Sequence, residues 1–253
     1  MAILLEGKLV ADRIKAVLRE RCASFKLTPH LASVQVGESA EVSCYSQSQK
    51  RTAEKLGIVY QHHVLPQDSS ERDVADFIGR LNADRDTHGI IIQLPLPQHL
   101  PTAAIVAAVD PGKDVEGVHP VNIGRLMYGQ AGFSPCTASA VMELLKESDV
   151  LVRGKEAVVV GSGIIAGKPV VLMLLEQMAT VTACHIATSE AGHLQEHVSR
   201  ADILITAVGK PGVIKGSWIK EGAIVVDVGA EWKRRSGRNV VSIRCVRTTF
   251  RFV

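Results

Sequence analysis

The feature that most constrains the fold is a regular alternation of short apolar runs with amphipathic stretches. The apolar runs have the length of strands, are rich in Val and Ile, and occupy residues 30–37, 89–95, 156–161, 180–186, 201–209 and 222–229. Amphipathic stretches with helical period occupy residues 9–25, 70–84, 138–148 and 167–178. Near-continuous apolar strands separated by helices are typical of parallel sheets covered on both faces. The pattern therefore predicts an α/β fold with largely parallel sheets and right-handed crossovers.

The length of the chain and its Pro-rich and Gly-rich middle predict two domains. The 253 residues are enough for two domains of ordinary size. A region rich in Pro and Gly (residues 95–126) ends the first series of strands, and a second series starts at Glu156. We therefore predict domains at residues 1–140 and 141–253, connected by the helix near 138–148. Ser70 and Asp73 predict a capping box at the start of an earlier helix.

Composition excludes several classes of protein. With 46% hydrophobic and 22% charged residues and no apolar run near the roughly 20 residues of a membrane span, the chain is expected to be soluble and cytoplasmic. The five cysteines lack CxxC spacing, which argues against a zinc site or a disulfide framework, and we predict no metal. Residues 232–253 hold seven Lys/Arg and no acid. We interpret this basic tail as a solvated or poorly ordered end, with nucleic-acid binding as the less favoured alternative.

Three glycines indicate a nucleotide site. Gly161, Gly163 and Gly167 follow one predicted strand and open a predicted helix. Such glycines let the backbone approach a pyrophosphate, whose charge is favoured by the helix N-terminus. The spacing is one residue longer than the usual dinucleotide fingerprint, so a tight turn without a ligand is the alternative. The next strand ends in His185 and Ile186, neither the acid that selects NAD nor the arginine that accommodates NADP.

Two adjacent pairs of reactive residues are poor candidates for chemistry. Cys184 and His185 are neighbours on a predicted strand, as are His62 and His63. Neighbouring side chains on a strand point to opposite faces of the sheet. The first pair is therefore not a nucleophile with its base, and the second pair is not a pair of ligands to one metal.

Several segments together resemble the bifunctional methylenetetrahydrofolate dehydrogenase/methenyltetrahydrofolate cyclohydrolase family, called FolD in bacteria. These segments are IIIQLPLPQHL (90–100), KDVEGVHPVNIGRL (113–126), SPCTASA (134–140), VVVGSGIIAGKP (158–169), ATVTACH (179–185) and ADILITAVGKPGVIKGSWIKEGAIVVDVGA (201–230). The resemblance runs from about residue 3 to 230. It implies a homodimer with an N-terminal α/β domain and a Rossmann-type domain with a parallel sheet, and folate bound between them. The family oxidises 5,10-methylenetetrahydrofolate with NADP or NAD, then hydrolyses the methenyl product to 10-formyltetrahydrofolate.

The resemblance also assigns the folate-side residues. Tyr45 is the tyrosine that packs on the substrate, and Gln93 is the glutamine that hydrogen-bonds the catalytic lysine. That lysine belongs four residues after the tyrosine, on the same helical face, where this chain has Gln49. Lys50 lies roughly 100° further around the helix. The substrate-binding set also includes Pro95 and Glu116, which replaces an aspartate of the family, while Val42 replaces a serine.

On the cofactor side the resemblance implies the binding residues Thr137, Gly161, Ser162, Gly163, Ile186, Gly209 and Ala230. The arginine and serine of the family's GRS turn are Ser162 and Gly163 here, and the serine after the family's CH is Ile186. The charge that would hold the 2′-phosphate of NADP is therefore missing. We expect NADP or NAD as cofactor, with weak preference for NADP.

These departures frame two functional hypotheses. The first is oxidation of 5,10-methylenetetrahydrofolate with the cyclohydrolase step in doubt, because the Gln49 amide cannot shuttle a proton as a lysine does. The alternative is a catalytically inactive paralogue with a binding or dimerisation role. Beyond Ala230 the family continues to a PGGVGP loop that this chain lacks. We hypothesise that a reading-frame change or an alternative splice near Glu231 replaced the family's sequence with the basic tail.

Overall fold

The chain forms two compact units, described by a computed structural model for residues 3–5, 7–130, 132–233 and 238–247. One unit is built on Asp12–Gly124 and the other on Arg125–Trp232. Along the chain, the division between them lies between Gly124 and Arg125. Each unit contains its own sheet, with one buried apolar cluster in the first unit and two in the second.

The first unit contains a three-stranded parallel sheet. Its strands are β2 (His30–Val36), β3 (Val59–Leu65) and β4 (Gly89–Ile92), in the order β3-β2-β4. The helices of this half of the chain are α1 (Gly7–Ser24), α2 (Ala40–Lys55), α3 (Glu71–Ala83), α4 (Thr102–Ala107) and α5 (Pro120–Met127). Val34, Val74, Ile78, Ile90 and Ile105 lie in its buried core. The predicted capping box is confirmed at the start of α3. The Ser70 hydroxyl accepts a hydrogen bond from the Asp73 backbone N–H, and the Asp73 carboxylate accepts one from the Ser70 backbone N–H.

The second unit contains a six-stranded sheet in the order β1-β9-β8-β7-β5-β6. Its strands are β1 (Ile3–Leu5), β5 (Glu156–Val160), β6 (Thr180–Cys184), β7 (Ile203–Thr206), β8 (Ile224–Lys233) and β9 (Arg238–Arg247). The helices are α6 (Cys136–Glu147), α7 (Gly167–Glu176), α8 (Ile186–Glu190) and α9 (Leu194–Arg200), with a 3₁₀ turn at Gly216–Trp218. Strands β5 to β8 pair in parallel, whereas β1 and β9 are antiparallel.

The alternating residues of the central strands explain why this sheet is covered on both faces. Val159 and Ile205 belong to one buried cluster, whereas their neighbours Val158 and Leu204 belong to another. The chain order reverses direction at β5, with β6 on one side and β7 on the other. Such a switch point is where nucleotides bind in open α/β sheets, outside the carboxyl ends of the strands.

The α/β prediction is confirmed, and all six predicted strands and four predicted helices are present. Residues 238–247 of the tail form the strand β9, so the interpretation as a poorly ordered end is wrong for this segment. The reason is local composition, because four of its ten residues are β-branched and favour strands: Val240, Val241, Ile243 and Val246. Residues 234–237 and 248–253 of the tail lie outside the described part. Among the described helices, none is long and apolar enough to cross a membrane.

Candidate functional site

Helix α2 places Tyr45 and Gln49 on one face. The helix begins after Ser39, whose hydroxyl accepts a hydrogen bond from the Val42 backbone N–H at 3.4 Å. Tyr45 and Gln49 are four residues apart, so their side chains are neighbours on the helix surface. Tyr45 is half exposed and Gln49 is partly buried, whereas Val42 points into the core. The exposed aromatic therefore stands beside a polar group that reaches towards the sheet.

Gln49 belongs to a closed ring of hydrogen-bonded side chains, which we call the polar ring. Its members are Ser33, Ser46, Gln49, Tyr60, His62 and Gln93. The contacts around it run from Gln49 to Tyr60 (3.0 Å), Tyr60 to Ser46 (3.0 Å), Ser46 to His62 (3.0 Å), His62 to Ser33 (3.2 Å), Ser33 to Gln93 (2.9 Å) and Gln93 to Gln49 (2.8 Å). Four members are buried, whereas Gln49 and His62 reach the surface.

The orientation of the Gln49 amide follows from its partners in the ring. Its Oε1 accepts two hydrogen bonds, from the Tyr60 hydroxyl and from Gln93 Nε2. Two donors use both lone pairs of an amide oxygen. Within the described part of the chain, Gln49 Nε2 has no hydrogen-bond partner. The site therefore offers an uncharged amide NH₂ group with two available donors.

Lys50 does not take the place of Gln49 in the polar ring. Its side chain is exposed, and the residue of the pair that bonds Gln93 is Gln49. Lys50 instead lies close enough to His62 to lower the pKa of that imidazole, together with burial, which is the larger cause, and the neighbouring His63. The positive charge of Lys50 therefore acts on His62 and not on Gln93.

The segment after β4 places the other predicted folate-side residues. Pro95 follows Gln93 through a cis Leu94–Pro95 peptide bond. Lys113 Nζ donates to three backbone carbonyls at the end of α3, of Leu81, Asn82 and Asp84, and fixes the loop that carries Glu116. Burial and the nearby Asp114 carboxylate raise the pKa of Glu116 to about 7. Its carboxyl group is therefore poised between the neutral and charged forms near neutral pH.

The glycine turn after β5 has two glycines that packing requires and one that it does not. Gly161 has φ of +108°, and a Cβ there would collide with the Ala207 carbonyl. A Cβ at Gly167 would collide with the Gly161 carbonyl. A Cβ at Gly163 would meet nothing within 4 Å. The turn is therefore built by Gly161 and Gly167, while Gly163 faces open space that a ligand can enter.

The first turn of α7 leaves the Gly167 N–H as its backbone donor, because the Lys168 N–H donates to the Gly163 carbonyl at 3.0 Å and Pro169 has no N–H. The helix is ten residues long, and its N-cap residue Ala166 makes no side-chain capping hydrogen bond. Uncapped N–H groups at a helix N-terminus favour a negatively charged ligand. Together with the space beside Gly163, this arrangement fits the pyrophosphate of a dinucleotide.

The remaining predicted cofactor residues lie at the ends of neighbouring elements. Ile186 follows β6 and is 77% exposed, and Gly209 follows β7 and is exposed. Thr137 is half-buried in the first turn of α6. Ala230 lies on β8, and its side chain is outside the described part. Ser162 and Ile186 provide no positive charge, so a 2′-phosphate would find no side-chain cation at these two positions.

Sequence reasoning missed four members of the polar ring: Ser33, Ser46, Tyr60 and His62. Ser33 lies on β2 and pairs with His62 of β3 in the parallel register. The signal that was available is the polar content of β3, VYQHHVL, in an otherwise apolar set of strands. His62 contacts Ser46, whereas His63 makes an edge-to-face contact with Phe77 of α3, with ring centroids 5.1 Å apart. The two imidazoles therefore lie on opposite faces.

Both halves of the chain match models of one protein family. Residues 5–116 match the tetrahydrofolate dehydrogenase/cyclohydrolase catalytic domain, and residues 135–246 match the NAD(P)-binding domain of the same family. The second match extends past residue 230, where the sequence analysis ended the resemblance. The family match therefore includes β8 and β9, which continue the six-stranded sheet beyond residue 230.

Individual relatives agree with the family match. The chain is 45% identical to the bifunctional protein FolD of Geotalea uraniireducens over 232 residues, which cover 90% of this chain and 82% of that protein. The FolD structure from Campylobacter jejuni is 36% identical with a TM-score of 0.87, covering 92% of this chain and 83% of that one. The Trypanosoma brucei FolD structure, complexed with NADP and an inhibitor, is 35% identical with a TM-score of 0.87 and covers 94% and 84%. The chain therefore belongs to the tetrahydrofolate dehydrogenase/cyclohydrolase family.

Proposed function

We propose that the chain oxidises 5,10-methylenetetrahydrofolate with NAD or NADP and that its cyclohydrolase activity is weak or absent. The observation that carries this proposal is Gln49, whose Oε1 is occupied by Tyr60 and Gln93 and whose Nε2 remains available. By the family resemblance this is the position of the catalytic lysine. An amide at that position binds and orients, but it does not exchange a proton near neutral pH.

Each folate-side residue makes a different contact with the substrate in this proposal. The exposed ring of Tyr45 provides an aromatic surface on which a pterin can stack. Gln49 Nε2 donates to an acceptor atom of the substrate, and Gln93 holds Gln49 in place at 2.8 Å. When its carboxyl group is charged, Glu116 accepts hydrogen bonds from the pterin. Because hydride transfer requires mainly that the reacting rings are held in position, these contacts are sufficient for the first reaction.

The nucleotide site in the other unit has the features that a dinucleotide requires. Gly163 leaves space for the pyrophosphate, and the Gly167 N–H at the start of α7 donates to it. When bound, the nicotinamide supplies the hydride acceptor. Ser162 and Ile186 lack the charge that discriminates NADP from NAD, so both cofactors should support turnover.

The cyclohydrolase step makes a different demand on the same position. Hydrolysis of the methenyl carbon requires removal of a proton from the attacking water and its delivery elsewhere. Positioned acid–base groups contribute about 10²- to 10⁴-fold to such steps. A neutral amide contributes none of this, so we expect the second activity to be reduced by a factor in that range.

A single set of titrations tests the proposal. The purified protein is mixed with methylenetetrahydrofolate and increasing NAD or NADP, and the absorbance of reduced nicotinamide is followed. The proposal predicts turnover with both cofactors. No turnover with either would contradict it and would support the catalytically inactive paralogue.

The proposal includes the assembly and location that the family resemblance implies, namely a homodimer in the cytoplasm. Sedimentation equilibrium of the purified chain measures its mass, with about twice the monomer mass expected. A monomer that retains turnover would remove the dimer from the proposal without affecting the activity.

A further inference from the structure

The polar ring has more contacts than its neutral members have protons. Gln35 Nε2 donates to the Gly37 carbonyl at 2.8 Å, which turns Gln35 Oε1 towards His62 Nε2 at 3.1 Å. This acceptor assigns a proton to His62 Nε2, so neutral His62 has an unprotonated Nδ1. Nδ1 is the atom that contacts both Ser33 and Ser46.

The donors around the ring can then be counted. The two N–H groups of Gln93 serve Ser33 and Gln49, and the hydroxyls of Tyr60, Ser33 and Ser46 supply one proton each. These five protons serve six contacts. With neutral His62 and with Tyr60 donating to Gln49, the single proton of the Ser46 hydroxyl serves either His62 or Tyr60 but not both. One contact in this part of the ring therefore lacks a proton.

A proton on His62 Nδ1 supplies the missing donor. It donates to Ser46, which then donates to Tyr60, which donates to Gln49 Oε1. The contact without a proton acceptor is then the one between Ser33 and His62, because a protonated Nδ1 cannot accept. The opposite alignment, in which Tyr60 donates to Ser46 and Ser46 to neutral His62, leaves Gln49 Oε1 with Gln93 alone. The protonation state of His62 thus decides how firmly Tyr60 holds the Gln49 amide.

We propose that Tyr60 and His62 are positioning residues for Gln49, which fix the direction in which its amide faces the substrate. Tyr60 acts by direct hydrogen bonding, and His62 acts through Ser46. This inference rests on the proposed function in one respect, since it takes Gln49 to be the substrate-facing group. None of the three residues Ser46, Tyr60 and His62 needs to contact the substrate.

Charges around His62 oppose its protonation. Lys50 on α2 and His63 on β3 are the charged or titratable groups that act on it, and Tyr60 is the other titratable neighbour in the ring. Its contacts on β2, Ser33 and Gln35, are uncharged. Burial, His63 and Lys50 lower the pKa of His62 below its ordinary value of 6.5. We therefore expect neutral His62 at pH 7 and an effect of protonation on the acidic side of the pH profile.

Tyr60→Phe tests the direct hydrogen bond. The change removes one donor to Gln49 Oε1 while preserving the aromatic ring in the core. A hydrogen bond of this kind corresponds to roughly threefold to tenfold, and we expect kcat of the dehydrogenase reaction to fall by that factor with little change in the KM for NAD or NADP. Ser46→Ala breaks the same chain one step further away and serves if Tyr60→Phe does not fold. Unchanged kcat in a folded variant would overturn the role of Tyr60.

His62→Gln tests the titration, with His63→Gln as its matched control. His63 is the adjacent residue of the same strand but makes its edge-to-face contact with Phe77. We expect His62→Gln to remove an inflection below pH 6.5 from the kcat profile, whereas His63→Gln retains it. Identical profiles for the wild type and His62→Gln would overturn the role of His62.

A measurement without turnover separates this inference from the proposed function. Nitrogen-15 NMR of the labelled protein reports the tautomer of His62 and the side-chain NH₂ signals of Gln49. We expect the Nε2–H tautomer, and Gln49 signals that titrate together with His62 in the wild type but not in Tyr60→Phe or Ser46→Ala. Gln49 signals that ignore His62 would overturn the inference even in an active enzyme. Coupled signals in a protein without turnover would leave the inference standing and contradict the proposed function.

Discussion

The polar ring and the glycine turn are organised by different physical requirements. The polar ring consists of side chains that satisfy one another, so that Gln49 is held by Tyr60 and Gln93 at 2.8 to 3.0 Å. The glycine turn requires residues without side chains, because a Cβ at Gly161 or Gly167 would collide with a backbone carbonyl. One substitution in the polar ring, such as that at position 49, can change the chemistry of the site. In the glycine turn the backbone is fixed by Gly161 and Gly167, so substitutions can change only the side chains around it.

The largest effect is expected at Gly167. Gly167→Ala places a methyl group against the Gly161 carbonyl, and backbone atoms on both sides must move. We expect a loss of about 3 kcal/mol in the free energy of unfolding, at the upper end of overpacking costs. Denaturant unfolding measures this change.

Gly163→Ala is the matched control in the same turn. Its added methyl group meets no atom within 4 Å, so stability should remain within about 0.5 kcal/mol of the wild type. Dinucleotide affinity should nevertheless fall, because the methyl group occupies the space assigned to the pyrophosphate. Equal stability losses at both positions would show that the difference between the two glycines is wrong.

Cofactor preference is the next largest effect. Ser162→Arg introduces the charge that the resemblance expects in the turn, and a charge-assisted hydrogen bond of this kind is worth about 1.5 to 3 kcal/mol. The ratio of kcat/KM for NADP to that for NAD should rise by roughly ten- to a hundredfold. Ser162→Gln, which adds length without charge, should leave the ratio nearly unchanged. A similar rise in both variants would exclude charge as the cause.

The smallest effect concerns Glu116 and stability. Because its pKa is raised to about 7, the folded state holds its proton between about pH 4.5 and 7 while the unfolded state releases it. Stability from this group is therefore full below pH 4.5 and is lost as pH rises to 7. Glu116→Gln should gain on the order of 1 to 2 kcal/mol at pH 8, since solvent at this half-buried position reduces the full effect. The gain should disappear at pH 4, and a gain independent of pH would contradict the assignment.

The two regions also differ in how far sequence predicts them. The glycine turn is local, so spacing after an apolar strand was enough to place Gly161 directly after β5 and Gly167 at the start of α7. The polar ring depends on register, because Ser33 meets His62 only when β2 and β3 pair as they do. Strand β3 was missed because its polar residues interrupt the apolar run that marks the other strands of the sheet. Strand β9 was missed because its arginines obscured its β-branched residues.

The family resemblance identified position 49 without showing what a glutamine does there. The spacing from Tyr45 predicts Gln49 on the same helical face, and the structure adds that Tyr60 and Gln93 both donate to the Gln49 oxygen. The direction of the amide cannot be obtained from sequence, because it depends on donors from β3 and from the residue after β4.

The most direct test of the account compares two activities in the wild type and in Gln49→Lys. Dehydrogenation is followed by the formation of reduced nicotinamide, and cyclohydrolysis by the loss of methenyltetrahydrofolate absorbance above the rate in buffer. We predict that Gln49→Lys raises cyclohydrolase activity by at least about 10²-fold and changes dehydrogenase activity by less than about tenfold. Efficient cyclohydrolysis by the wild type, with no increase in Gln49→Lys, would contradict the central claim.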